Sequence, residues 1–128
     1  MKLIYVAHPY GGKKENEVEA DVVTRMLQKR FPEHCFVSPI HAIREAYNEK
    51  TTEEEYFMGM KHCIALLSRC DAIVFTGDWK HSRGCMLENL VAQSRGITTI
   101  DLDLIVAMDN IGLQYFLNDR EIIPFPKK

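Results

Sequence analysis

Polar side chains cluster in the segment from Thr76 to Gly84, TGDWKHSRG, where a hydrophobic run ends and a helical pattern begins. Amide groups in the first turn of a helix lack partners within the helix, and the helix dipole is positive there. The segment could therefore bind a phosphate or a carboxylate at Ser82 and Gly84. The alternative is that Ser82 only caps the helix and Gly84 only forms a turn. Trp79, the single tryptophan, could stack on a base or sugar ring, or could simply pack.

Glu88 lies about one turn into the same helical pattern and one position away from its apolar stripe. This position lets the carboxylate face back toward the polar segment. A helix N-terminus stabilises a nearby negative charge by about 0.3 to 1 kcal/mol, so we expect Glu88 to be ionised. An ionised carboxylate suits a nucleophile better than a proton donor. A surface glutamate without a chemical role is the alternative.

The composition indicates one globular domain, 1–128, that binds a small molecule. Hydrophobic residues make up 46% of the 128 residues and charged residues 27%, which is typical of a folded domain with a core. The net charge of −2 argues against broad binding to nucleic acid or to an anionic membrane. No apolar run approaches the roughly 20 residues that cross a bilayer. We expect neither nucleic acid nor membrane as a partner.

The cysteines indicate a reducing compartment, so we expect a cytoplasmic protein. They form no CxxC pair, and the chain begins with a strand-like run instead of a secretory leader. Zinc ligands usually come in pairs two to four residues apart, so we expect core cysteines, no metal and no cofactor. The four are Cys35, Cys63, Cys70 and Cys85.

Strand-like and helix-like segments alternate along the chain. Short hydrophobic runs predict strands at 3–7, 35–37, 72–75 and 97–102, the third of them central in a sheet. Helical patterns cover 15–31, 52–70, 83–95 and a patch at 111–117. Thr52 and Glu55 have the spacing of a capping box, and Gly96 is a stop signal. The stretch 40–52 is mixed, and the prolines in the tail 124–128 oppose regular pairing.

Apolar side chains at helical spacing predict the buried face of each helix. The expected stripes are Val18, Val22, Met26 and Leu27 in the first helix, Tyr56, Met60, Cys63, Ile64 and Leu67 in the second, and Leu87, Leu90, Val91 and Ser94 in the third.

This alternation predicts a three-layer α/β/α sandwich with a mostly parallel, flavodoxin- or Rossmann-like sheet. Ligands of such sheets bind beyond the carboxyl ends of the strands. We therefore expect one cleft, lined by residues 8–12, 38–39, 76–84 and 101–103.

Three stretches resemble the nucleoside 2-deoxyribosyltransferase superfamily. They are YVAHPYGG at 5–12, MKHCIALLSRCDAIV at 60–74, and GDW at 77–79 with SRGCMLE at 82–88. The resemblance covers roughly residues 1–101. It is greatest to a short uncharacterised branch common in phage and bacterial genomes, and next to the 2′-deoxynucleoside 5′-monophosphate N-hydrolases.

The resemblance implies cleavage or transfer of an N-glycosidic bond. Glu88 matches the nucleophile that forms a glycosyl-enzyme ester, and Tyr5 matches the tyrosine whose hydroxyl lies beside it. Ser82 stands where the transferases carry an aspartate for the sugar 5′-hydroxyl and the hydrolases carry a serine for the phosphate. A serine there favours a nucleoside monophosphate, because an aspartate would repel the phosphate. The remaining substrate-binding candidates are His8, Pro9, Tyr10, Gly11, Asp78, Trp79, Arg83 and Gly84.

Two positions depart from the family pattern. His8 replaces the glycine that usually precedes Pro9. Cys63 stands where the family carries a second acid, which leaves the departing base without its usual proton source. Candidates for that role are His62, Cys63, His8 and Asp78, although Cys63 also fits its helix as plain core.

The resemblance also implies a homo-oligomer, either a dimer or a larger ring, in which a neighbouring subunit helps to close the pocket. The apolar run Tyr115-Phe116-Leu117 is compatible with subunit contact and equally with core packing. Asp71, at the start of the third strand, is interpreted as structural.

Three functions remain open at this point. The first is an N-glycosidase or deoxyribosyltransferase, with water or a second base as acceptor. The second is a nucleotide-binding module that has lost efficient catalysis. The third is a structural or partner-binding domain.

Overall fold

The computed structural model of the protein describes residues 1–43 and 52–118. The strands are β1 (Leu3–Ala7), β2 (Cys35–Val37), β3 (Ala72–Phe75) and β4 (Thr98–Asp101). They form one sheet in the order β2-β1-β3-β4, and all three pairings are parallel. The two central strands, β1 and β3, are almost completely buried.

Helices connect the strands, as parallel pairing requires. They are α1 (Lys14–Arg30), α2 (Pro39–Ala42), α3 (Glu53–Leu67), α4 (Arg83–Arg95), α5 (Leu102–Val106) and α6 (Asn110–Leu117), with a 3-10 turn at Trp79–His81. None of the helices within 1–43 and 52–118 has the length and apolar character needed to cross a bilayer.

The side chains of β1 alternate between two apolar cores, one on each face of the sheet. Ile4 and Val6 pack in the core that contains residues of α1, α5 and α6. Tyr5 and Ala7 pack in the opposite core, with residues of α3 and α4. The predicted three-layer α/β/α sandwich with a parallel sheet is therefore confirmed, and so is the central position of the third strand.

The local signals at the helix ends are also confirmed. The Thr52 side chain accepts the Glu55 amide, and the Glu55 carboxylate accepts the Thr52 amide, which completes the capping box of α3. Gly96 ends α4 in the left-handed conformation, with φ of 68°, where a residue with a side chain would be strained.

The predicted buried stripe of α1 is wrong at three of its four residues. Val18 and Val22 are 51% and 61% exposed, and Met26 is exposed as well. Leu27 is buried as predicted, and the other buried residue of the helix is Ala20, which the prediction left out. The helix carries two apolar stripes, and the sheet selects the one with the small Ala20, which packs against Tyr10 and Ile40.

The predicted buried stripe of α4 is confirmed only in part, since Leu87 and Val91 are half-buried and pack against the core. Leu90 is 63% exposed and Ser94 is exposed, whereas Gly84, Cys85, Glu88 and Ala92 are buried. Small side chains let a helix approach a sheet closely. Glu88 therefore lies on the inner face itself, instead of one position away from it.

Three other differences concern the connecting segments. The mixed stretch begins with the short helix α2, and its residues 44–51 lie outside the described part of the chain. The predicted tail, 124–128, also lies outside it. Helix α5 was not predicted, because its five residues are too few to show a helical period.

Asp71 links β1 to the start of β3 through two hydrogen bonds with Leu3. Its amide donates to the Leu3 carbonyl, and its carboxylate accepts the Leu3 amide at 2.8 Å. This supports the structural role expected from the sequence.

We predict that Asp71→Ala lowers the free energy of unfolding by about 1 kcal/mol, because the Leu3 amide loses a charged acceptor. Asp71→Asn keeps an acceptor oxygen and should recover most of the loss. Urea denaturation of the three proteins measures both effects. An alanine variant as stable as wild type would contradict this role.

Candidate active site

A cavity of about 530 Å³ lies at the carboxyl ends of β1 and β3. Eight of the predicted substrate-binding residues line it: His8, Pro9, Tyr10, Gly11, Asp78, Ser82, Arg83 and Gly84. The cleft is thus at the sheet edge where the topology predicted it, at the loops after β1 and β3. The predicted contribution of 38–39 and 101–103 is not found, because neither segment is among the described residues that line this cavity.

Five further residues line the cavity without having been predicted to bind substrate: Lys13, Asn16, Glu19, Tyr56 and His81. Of these, only His81 lies in a segment that was expected to form the cleft. The Asn16 amide donates to the Tyr10 carbonyl at 2.9 Å and so holds the loop after β1 against α1. Asn16 and Glu19 are three residues apart in α1, the spacing of neighbours on one helix face. This spacing could have indicated a shared polar face toward the cavity. The other acidic residues at the start of α1 made that face hard to recognise.

Tyr5 and Glu88 form a hydrogen bond beneath this edge, across 83 residues of sequence. The Tyr5 hydroxyl donates to Glu88 Oε2, and the two residues are 0% and 5% exposed. Tyr5 is positioned by central strand β1, and Glu88 by the buried face of α4. The structure therefore brings the two predicted catalytic residues together.

Burial raises the pKa of Glu88 to about 7, although the hydrogen bond from Tyr5 lowers it. The expectation that Glu88 is simply ionised is therefore corrected, because burial makes its protonated form accessible near neutral pH. Desolvation outweighs the helix N-terminus because the carboxyl is buried deeply. Burial and the charge of Glu88 raise the pKa of Tyr5 well above its usual value, so Tyr5 remains a donor.

Glu88 is connected to the cavity through Gly84 and Tyr56. Side chains in a helix lean toward its N-terminus, so the Glu88 side chain lies over the turn that contains Gly84, which lines the cavity. Tyr56 also lines the cavity, and the charge of Glu88 contributes to raising its pKa after the larger effect of burial. Glu88 itself is not among the described lining residues.

Two buried thiols complete the surroundings of Glu88. Burial raises the pKa of Cys63 and of Cys85 to about 12, with a further increase from the Glu88 charge. Cys63 is hydrogen-bonded to the Tyr5 hydroxyl. Both thiols are therefore neutral at physiological pH. All four cysteines are free, and Cys63 lies in the core on the α3 side of the sheet.

The N-terminus of α4 combines the two roles considered for Ser82. Its hydroxyl oxygen accepts the Cys85 amide at 3.2 Å, so Ser82 caps the helix, and it also lines the cavity. The Arg83 guanidinium pairs with Glu53 and lies 4.6 Å from the centre of the Tyr56 ring. These contacts hold Arg83 at the cavity wall.

Trp79 and His62 are not among the described residues that line the cavity. The Trp79 ring stacks on Phe75 with centroids 4.3 Å apart, which is the packing alternative considered for it. His62 is exposed on α3. Asp78 lines the cavity and accepts from His81 at 2.8 Å.

His8 lies at the cavity wall in a fixed orientation. Its Nδ1 is 2.7 Å from Thr76 Oγ1, and its Nε2 is 3.1 Å from Glu19 Oε1. Burial lowers the pKa of His8, and Glu19 opposes that effect. Within residues 1–43 and 52–118, no three His, Cys, Asp or Glu side chains cluster as a metal site would require.

A family model described as a domain of unknown function, DUF4406, matches residues 2–101, most of the chain. No curated protein matches the sequence.

We predict that Glu88→Gln stabilises the protein at pH 8. The folded-state pKa of about 7 exceeds the usual 4.5, so wild-type stability falls as pH rises through this window. Glutamine avoids that cost, which amounts to about 3 kcal/mol. The difference in free energy of unfolding between variant and wild type should be near zero at pH 4 and complete at pH 8.

Denaturant titrations across this pH range measure the effect. Glu15→Gln is the matched control, because Glu15 is exposed and its change should show no such pH dependence. A constant difference between Glu88→Gln and wild type at all pH values would contradict a pKa shift caused by burial.

Proposed function

The chain belongs to the DUF4406 family, and we propose that it is an enzyme that cleaves or transfers the N-glycosidic bond of a nucleoside or nucleoside 5′-monophosphate. The main support is the buried hydrogen bond between Tyr5 and Glu88 beneath a polar cavity. A carboxyl is costly to bury, and perturbed acids beside a cleft are typical of active sites. The sequence resemblance supplies the reaction class.

In the proposed mechanism, the ionised oxygen of Glu88 attacks the anomeric carbon as the bond to the base breaks. The transition state resembles an oxocarbenium ion, and a nearby carboxylate stabilises it. Tyr5 favours the ionised form of Glu88 by donating to Oε2. Water or a second base then cleaves the glycosyl-enzyme ester, so that two displacements retain the configuration.

The cavity wall at the start of α4 is the proposed phosphate site. Ser82 and Gly84 offer a hydroxyl and backbone groups, and Arg83 and Lys13 line the same cavity with positive charge. Early amides of a helix suit an anion. A nucleoside 5′-monophosphate is therefore the favoured substrate.

The proposal includes a cytoplasmic homo-oligomer that acts on a small molecule without a cofactor. The exposed Val18 and Val22 on α1 are an apolar surface for a second copy. This helix is acidic in its first turn and basic in its last, so an antiparallel pair would match opposite charges.

The second candidate is a nucleotide-binding module with weakened catalysis. Cys63 stands where the nucleoside 2-deoxyribosyltransferase superfamily, which the sequence resembles, carries an acid. The Cys63 thiol is buried and neutral at physiological pH. Calorimetry that detects nucleotide binding without turnover would favour this candidate. Appearance of base release in Cys63→Asp would favour it as well.

We predict that wild type releases free base from at least one nucleoside or 5′-monophosphate and that Glu88→Ala loses at least 10³-fold of the rate. The reason is that alanine removes the nucleophile. Release should also fall below pH 7, where Glu88 is protonated. Chromatography of the products from a panel of substrates measures base release by wild type, its loss in Glu88→Ala and its dependence on pH. No base from any substrate, or equal release by the variant, would refute the proposal.

A second prediction concerns the phosphate. Ser82→Asp should weaken turnover of 5′-monophosphates by about tenfold or more relative to the free nucleosides, because a carboxylate repels the phosphate. Aspartate also caps helices, so α4 should keep its N-terminus. The kcat/KM ratio for a nucleoside and its monophosphate measures the effect. An unchanged ratio would place the phosphate elsewhere.

A further inference from the structure

The His8 imidazole occupies space at the cavity wall that is open only because residue 77 is a glycine. Gly77 has φ of 65°, and a Cβ there would lie 2.7 Å from His8 Cε1 and 3.2 Å from Pro9 Cδ. Any residue with a side chain would displace the ring. The His8 side chain is only 5% exposed, so its orientation is determined by this packing and by its two polar contacts.

Those contacts determine which ring nitrogen carries a proton. The Thr76 hydroxyl donates to the Ala7 carbonyl at 2.8 Å, so its oxygen is free to accept from Nδ1. Nδ1 is then the donor, and Nε2 lies 3.1 Å from a carboxylate oxygen of Glu19. Two acceptors facing the two nitrogens can hold the doubly protonated ring and oppose the effect of burial, which disfavours its charge. Loss of the Nε2 proton requires no heavy atom to move.

We propose that His8 is the proton donor to the departing base, with Glu19 and Thr76 as its positioning residues. This inference rests on the proposed function. His8 would take the role that the nucleoside 2-deoxyribosyltransferase superfamily gives to an acid at the position of Cys63. Both His8 and Glu19 line the cavity, so a substrate nitrogen can replace Glu19 as the partner of Nε2. His62 is exposed, and Cys63 is a neutral buried thiol. Asp78 lines the cavity, but its side chain is exposed and accepts a hydrogen bond from His81. His8 is therefore the better placed group.

The step balances as follows. A Glu88 oxygen forms a bond to C1′ while the C1′–N bond breaks, and the electron pair of that bond goes to the base nitrogen. The nitrogen takes the Nε2 proton, which leaves His8 neutral. When water cleaves the ester, Nε2 takes a proton from that water and the original state returns.

The charged groups around His8 set the pH dependence. Burial places the pKa of His8 below 6.5, and Glu19 on α1 is the charged group in contact with it. Glu88 must be ionised and His8 protonated, so the rate on a nucleotide should depend on pH as a bell-shaped curve. The other charged or titratable residues along the cavity are Lys13, Tyr56, Asp78, His81 and Arg83.

The test compares two leaving groups. A purine or pyrimidine 5′-monophosphate needs a proton on its base, whereas a 4-nitrophenyl pentofuranoside 5′-phosphate releases a phenolate that needs none. His8→Gln should slow the nucleotide by about 10²- to 10⁴-fold and the nitrophenyl substrate by less than threefold. It should also abolish the alkaline fall of the nucleotide profile. Glu88→Ala should slow both substrates equally.

A second variant tests His8 without changing it. Glu19→Gln, on an exposed part of α1, removes the charge that favours the imidazolium, so the alkaline fall should move to lower pH for the nucleotide only. Glu15→Gln is the matched control on the same helix and should move neither profile.

The outcomes separate the two proposals. Equal slowing of both substrates by His8→Gln, or slowing of neither, would overturn the role of His8 and leave the glycosidase intact. No release from either substrate by wild type, or no loss in Glu88→Ala, would overturn the proposed function and this inference with it.

Discussion

The architecture depends on one costly feature, a carboxyl buried between a central strand and a helix. Burial of the Glu88 carboxyl costs free energy unless a hydrogen-bond donor faces it, and the Tyr5 hydroxyl on β1 is that donor. The helix can approach closely because Gly84, Cys85 and Ala92 carry small side chains. Burial then gives this acid a pKa of about 7, so that both of its forms are populated at physiological pH. Packing and acid-base behaviour therefore have the same cause.

The parts of the fold that follow from local chemistry could be predicted from the sequence. The runs LIYVA and AIVF are too continuously apolar for anything but buried strands, and both occupy the centre of the sheet. The Thr52–Glu55 capping box and Gly96 mark helix ends through contacts within a few residues. Since ligands bind at the carboxyl ends of parallel strands, the loops that form the cavity followed from the strand order.

The parts that depend on distant neighbours could not be predicted in this way. In α1, the apolar character of Val18 and Val22 suggested an inner face, but the assembled structure buries Ala20 beside the predicted Leu27 and leaves both valines exposed. The protonation of Glu88 depends on burial that only the assembled core provides. The contact between Glu19 and His8 joins a helix to a loop, and no local pattern marks it.

The separation of 83 positions between Tyr5 and Glu88 has a consequence for how the protein is made. Every strand of the sheet pairs in parallel, so each contact waits for a crossover to close, and such topologies fold slowly. During synthesis, the tyrosine leaves the ribosome long before its partner. The emerging polypeptide therefore contains Tyr5 without its partner until helix α4 has docked on the sheet. An N-terminal fragment that ends before α4 cannot form the hydrogen bond between Tyr5 and Glu88.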